Sequence, residues 1–145
     1  MARIAPSTPI YQRGQSRTSA QRRPRLRDRA HLERIARMPC AVPGCRSGRI
    51  QVAHIRFACA IEGAAIVGKA EKPDDWRVLP LCVFHHMEGP EAQHRMNEAL
   101  FWARHGINPY ALARALYNLS GDSEAMQLLL ARAPVIFPDR ATYEI

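Results

Sequence analysis

Hydrophobic positions along the chain come in short runs cut by proline, glycine and charge, and each run predicts a small element. From Arg25 to Arg37 the apolar residues Leu26, Ala30, Leu32, Ile35 and Ala36 recur at helical spacing, and Pro39 stops the pattern. Arg49 to Phe57 carries Ile50, Val52 and Ile55 and predicts a short strand. Trp76 to Leu81 predicts a second strand, which delivers Cys82. Between them Ala58 to Asp75 holds Gly63, Gly68, the polar Lys69–Lys72 group and Pro73, and predicts a loop with room for a helical turn. Phe84 to Glu88 starts a helix that Gly89-Pro90 interrupts. Glu91 to His105 predicts one continuous helix, with Met96, Leu100, Phe101 and Ala103 as its apolar positions and Gly106 as its stop. Tyr110 to Leu119 predicts another, with Leu112, Ala113, Leu116 and Tyr117 on one face. Ser120-Gly121-Asp122 breaks the chain and offers an N-cap for a helix from Ser123 to Ala133, ended by Pro134. Val135 to Ile145 shows no periodicity. Two short strands among short helices predict an α+β fold.

Length and charge refine this picture. The 145 residues suit one domain. Residues 1–24 mix Pro, Ser, Thr, Gln and Arg with few large apolar groups and predict a disordered arm. Residues 25–109 carry the core chemistry, and 110–145 read as a helical C-terminal extension. Up to Arg37 there are ten arginines against Asp28 and Glu33, whereas from Met38 onward eleven basic residues balance eleven acidic ones. The formal net charge of +8 therefore sits in the N-terminal quarter. Its basic residues are all arginine, which grips phosphate in a bidentate manner, so a nucleic acid is the expected partner, with Arg22, Arg23, Arg25, Arg27 and Arg29 as contacts. The competing reading is a solvated tail that aids solubility. No apolar run approaches the roughly 20 residues of a membrane span, so no membrane partner is expected. The basic N-terminus also lacks the apolar core of a secretory signal, so export is not expected; its basic, Ser-containing, acid-poor composition leaves a transit peptide open, and the internal chemistry favours a cytoplasmic location.

Four cysteines in such a chain favour metal binding or catalysis over disulfides. Cys40 and Cys45 flank a Pro43-Gly44 bend, and Cys82 and His85 follow at knuckle spacing. Two such pairs can close a tetrahedral zinc site that staples short strands together; the alternative is a set of buried thiols and a core histidine. Adjacent helical side chains diverge by about 100°, so His86 cannot easily join the site that His85 closes. His94 beyond the Gly89-Pro90 break and His54 at the end of the first strand are its candidate partners. Cys59, in the apolar stretch Phe57–Ile61, reads as a small hydrophobe. His31 reads as a solvent- or phosphate-facing residue, and His105 as a residue serving a helix C-terminal dipole. Trp76, Phe101 and Trp102 read as core.

The motifs Pro39-Cys40-x4-Cys45, Ala53-His54-Ile55-Arg56, Glu71-Lys72-Pro73-Asp74-Asp75-Trp76, Pro80-Leu81-Cys82-x2-His85-His86, Gln93-His94-x2-Asn97-Glu98 and Phe101-Trp102-x2-His105-Gly106-Ile107 follow one another between about Met38 and Pro109. This order resembles the phage-associated HNH-type nucleases related to the Ref recombination-enhancing nuclease. The resemblance implies a zinc-stapled ββα-metal core and a DNA endonuclease or nickase with a role in phage or prophage recombination. It also implies single- or double-stranded DNA as substrate, and a recombinase as partner, within a bacterial or phage-infected cell. It implies His54 as general base, and His86 and His94 as ligands of a catalytic Mg²⁺ or Mn²⁺ ion distinct from the structural Zn²⁺. Ala53 stands where many such sites carry a further ligand, so Asp75, Asn97 or Glu98 is expected as an auxiliary, and Arg56 and Arg95 as clamps on flanking phosphates. The chemistry is coherent: imidazole titrates near neutrality and can deprotonate water, and a divalent ion neutralises phosphate charge. Two rivals stay open: a zinc-bound DNA-binding accessory protein without cleavage, and a zinc module for protein partners.

Overall fold

Ile50–His54 (β1) and Val78–Cys82 (β2) pair antiparallel in the computed structural model of the chain, which describes residues 24–136 apart from 60, 61, 65, 66 and 69. The register runs from Ile50 opposite Cys82 to His54 opposite Val78, so the ribbon holds Cys82 at one end and His54 at the other. All five residues of β2 are buried, whereas β1 is only partly covered. Pro80 offers no N–H to a neighbour, and its carbonyl accepts from the Ala41 amide at 2.8 Å, which closes this side of β2 with the Cys40–Cys45 turn. The strand predicted from Arg49 to Phe57 is thus five residues long. The chain leaves β1 at Ile55, which is buried and donates its amide to the Arg77 carbonyl.

The first helix is Arg29–Ile35 (α1), shorter than the predicted Arg25–Arg37. Asp28 caps it by accepting from the His31 amide at 2.9 Å. Residues 25–28 are held outside the helix because they are stitched to the loop before β2. Leu26 N–H donates to Asp74 Oδ1 at 2.7 Å, Asp28 N–H donates to Asp75 Oδ2 at 2.8 Å, and the Asp75 amide donates to the Leu26 carbonyl at 3.0 Å. The buried face of α1 is His31 and Ile35, one turn apart, rather than the alanines. His31 is therefore a core residue and not a solvent or phosphate contact. Its Nδ1 lies 2.8 Å from Ser120 Oγ and its ring meets Tyr117 edge-on.

After β2 the chain makes a single π-helical turn, Phe84–Glu88, and Gly89-Pro90 ends it as expected. The continuous helix predicted from Glu91 to His105 does not form. A 3-10 turn at Gln93–Arg95 precedes a separate helix, Glu98–Arg104 (α2), capped by Asn97 through the Leu100 amide. Periodicity cannot register this break, because Asn97 serves a cap and Gln93 spends its side chain on other elements. Gly106 closes α2 at φ 67°. Pro109–Asn118 (α3) starts at the Asn108 cap and Ser123–Ala131 (α4) at the Asp122 cap. Pro134 lies inside a last turn, Ala133–Ile136 (α5), instead of ending α4.

One core joins these pieces. Ile35, Leu79, Leu81, Phe101, Trp102, Ile107, Leu112, Leu116 and Met126 are all fully buried in it. Each such side chain contributes about 1.5–3 kcal/mol, so the C-terminal helices stabilise the same core as the strands. Trp102 and Phe101 sit in the core, and Trp76 packs against it beneath the Arg114 guanidinium. Cys59 is buried and bridges to Ala64. The arm up to Arg23, including Arg22, and the residues after Ile136 lie outside the described residues. No helix among those described is long and apolar enough to cross a membrane. The architecture is a mixture of short helices around a small two-stranded sheet.

Candidate metal centre and histidine cluster

The Cys40–Cys45 turn is shaped by Gly44 at φ 76° and a Cys45 N–H bond to the Val42 carbonyl. Its bond to Pro80 lays both thiols against the end of β2. The Cys82 amide points at Cys40 Sγ at 3.3 Å, and the His85 amide points at Cys82 Sγ at 3.5 Å. The ligand atoms of Cys40, Cys45, Cys82 and His85 all lie within 4.8 Å of one another. Cys45 Sγ is 3.7 Å from Cys82 Sγ, and His85 Nδ1 is 3.7 Å from Cys40 Sγ and 3.1 Å from Cys82 Sγ. Two sulfurs each about 2.3 Å from one zinc at a tetrahedral angle stand about 3.8 Å apart. The four groups fit a metal ion and are compatible with zinc. Burial pushes the Cys40 thiol up to about 12. Cys82 is also raised by burial, but the His85 amide and the neighbouring Cys45, Cys40 and Ser47 outweigh that and hold it below the usual thiol range. A cation bound there would favour the ionised form of Cys40 that burial opposes.

His86 turns away from this cluster, as its adjacency to His85 requires. Its Nδ1 lies 2.7 Å from Gln51 Oε1 on β1, and its Nε2 lies 3.0 Å from His94 Nε2. The Gly89-Pro90 break folds the chain back so that the two rings meet edge to face, with centroids 4.7 Å apart. Burial, then the neighbouring His94 and His54, lower His86 to about 4, so it is neutral near pH 7. Two nitrogens each about 2.1 Å from one ion stand about 3.0 Å apart at a right angle and about 3.4 Å apart at a tetrahedral one. The pair therefore has the spacing of two ligands of one ion. Among the described residues no third His, Cys, Asp or Glu lies close enough to make it a three-residue set.

His54 closes β1, and its Nε2 is buried and 3.8 Å from Asp75 Oδ1. Asp75 is itself buried and accepts from the Arg25 guanidinium and the Asp28 amide. Burial alone would raise its carboxyl, but the Asp28 amide, Arg25 and His54 outweigh it and hold it below the usual range. His54 is shifted down, first by burial, with Asp75 pulling the other way.

The three auxiliary candidates are committed elsewhere. Asp75 faces Arg25 and His54, and Asn97 caps α2. The Glu98 carboxylate accepts from the Arg56 amide at 3.1 Å and from Gln93 Nε2 at 2.8 Å. Burial raises Glu98 above the usual carboxylate range. Arg25, expected on nucleic acid, is spent on Asp75. Arg29 pairs with Glu33 at the surface, the Arg56 guanidinium donates to the Gly68 carbonyl, and Arg95 Nε donates to the Met87 carbonyl. Arg27 is exposed. His105 caps α2, but its ring packs against Phe101 and His85.

Two further residues, Gln51 and Gln93, tie the site together. Gln51 holds His86, and Gln93 Nε2 bridges the His54 carbonyl and Glu98. A polar residue on the open face of a strand is the ordinary pattern, so Gln51 sends no signal. Gln93 was marked only by preceding His94. No protein-family model, curated protein or solved structure matches this chain.

Proposed function

We propose that the protein is an HNH-type, divalent-metal-dependent DNA endonuclease or nickase built on a zinc-stapled ββα-metal core. The observation that carries this reading is the His86–His94 pair, with facing Nε2 atoms 3.0 Å apart and spare of the thiol cluster. A two-stranded antiparallel ribbon ending in His54 and followed by a helical turn bearing His86 is consistent with it. His86 and His94 would hold a Mg²⁺ or Mn²⁺ ion, which when bound would supply charge neutralisation at the scissile phosphate and leaving oxygen. His54 is the base. About a fifth of its side chain is exposed (21%) and buried Nε2 supplies none of that, so the Nδ1 side of the ring meets the water and takes its proton. Asp75 faces the opposite nitrogen and favours a proton there, which keeps Nδ1 free to accept. Arg27 and Arg95, exposed on either part of the chain, together with the arm, bind DNA phosphates.

The test is plasmid nicking with added Mg²⁺ or Mn²⁺, parent against His54→Ala. The variant should keep its zinc and its fold and lose about 10²- to 10⁴-fold in rate, the usual share of a positioned base. A parent that binds DNA tightly yet cuts with neither ion overturns the nuclease reading and leaves a DNA-binding accessory protein.

A further inference from the structure

We infer that Gln51 is a positioning residue that fixes His86 in the one tautomer able to present Nε2 to a divalent cation. This rests on the proposed role of His86 and His94 as a metal pair.

Gln51 Oε1 can only accept, and it lies 2.7 Å from His86 Nδ1, so Nδ1 carries the proton and donates. A neutral imidazole carries one proton, so Nε2 of His86 holds a lone pair. That lone pair faces His94 Nε2 at 3.0 Å. With no ion between them, His94 must donate from Nε2. To join His86 on a cation it moves its proton to Nδ1, which costs no net charge. His86 needs no such change, because Gln51 has already chosen its tautomer. Outer partners of this kind orient ligating histidines, and their loss costs about 10- to 100-fold in metal affinity.

The location favours this role over a packing one. Gln51 is exposed on β1, opposite Leu81, so its amide adds little to the core. β1 also carries His54, three residues on. The strand that ends in the base therefore also orients the ligand, and both are held at fixed separation by one rigid element.

The experiment uses the full zinc-loaded chain and three proteins: parent, Gln51→Leu and Gln51→Glu. Long-range ¹H–¹⁵N spectra without added divalent ion report the His86 tautomer, and Mn²⁺ titration reports affinity through broadening of the His86 and His94 signals. The expected result is Nδ1–H in the parent and a mixture in Gln51→Leu, with Mn²⁺ affinity down about 10- to 100-fold at an unchanged melting temperature. Gln51→Glu, which keeps an acceptor, should retain Nδ1–H and bind Mn²⁺ at least as tightly as the parent. A Gln51→Leu protein with parental tautomer and affinity overturns the inference. So does a parent with the proton on Nε2. A parent with the Nδ1–H tautomer that takes up no Mn²⁺ overturns the metal pair itself, and with it the role given to Gln51.

Discussion

Replacing Asp75 by alanine tests the wiring between the segment before α1 and His54. The carboxylate is nearly inaccessible, with 4% of the side chain exposed, and it serves three groups from two segments. Oδ2 accepts the Asp28 amide at 2.8 Å, a charge-assisted bond worth about 1.5–3 kcal/mol. Oδ1 pairs with Arg25, whose side chain is 27% exposed, so solvent screening limits that pair to about 1 kcal/mol. Together the loss is about 3 kcal/mol, which lowers the melting temperature by about 10 °C in a domain of this size. Because the folded-state pKa of Asp75 lies below its unfolded value, its contribution is fully present above the unfolded pKa of about 3.9 and is lost as pH falls through the folded one. The ionisation of Asp75 itself should therefore shrink the gap between parent and variant only below about pH 4, while between about pH 7 and 5 the gap should widen, because without Asp75 the buried His54 is held further below its unfolded value. The assay is thermal unfolding by circular dichroism across that range, paired with nicking at room temperature, where the variant remains folded. Nicking should fall by about 100-fold, since His54 loses the charge that favours a proton on Nε2. A variant that melts within about 2 °C of the parent at neutral pH would show that residues 25–28 are not held by this carboxylate.

Two further outcomes follow from other parts of the structure. Cys82→Ser, or a strong chelator, should release zinc and unfold the domain, because zinc affinities of about 10–16 kcal/mol exceed most of the about 5–15 kcal/mol that holds a domain together; metal analysis with far-UV circular dichroism checks this, and a folded, zinc-free variant refutes it. His31 is fully buried and burial lowers its pKa, so as pH falls below about 6.5 the unfolded chain takes the proton first and stability declines. His31→Phe should show a shallower loss of melting temperature between about pH 7 and 5, and parallel curves for parent and variant would refute it.

How much of this was legible depends on the kind of signal. Cys40, Cys45, Cys82 and His85 were readable because turn residues and ligand spacing are local. The parting of His85 and His86 was readable from helical geometry alone. The two strands and the helices beginning near Pro109 and Ser123 followed from alternation and caps. The Glu91–His105 helix misread a cap and a cross-chain amide as ordinary helix residues, since nothing local reveals that Gln93 reaches β1. His31 was misread because its burial depends on Ser120 and Tyr117, far along the chain. Arg25 looked like a phosphate ligand because composition counts charge without seeing its partner. Asp75 could be placed beside His54 only once β1 and β2 were paired.

One peptide bond separates a ring facing three thiols from a ring facing Gln51 and His94. The inner set thus acts as a mechanical anchor for the outer one, and pulling on either rotates the same turn. Stripping the thiol cluster should therefore also loosen the contact of His86 with Gln51 and His94, because the Phe84–Glu88 turn sets the bearing of both rings.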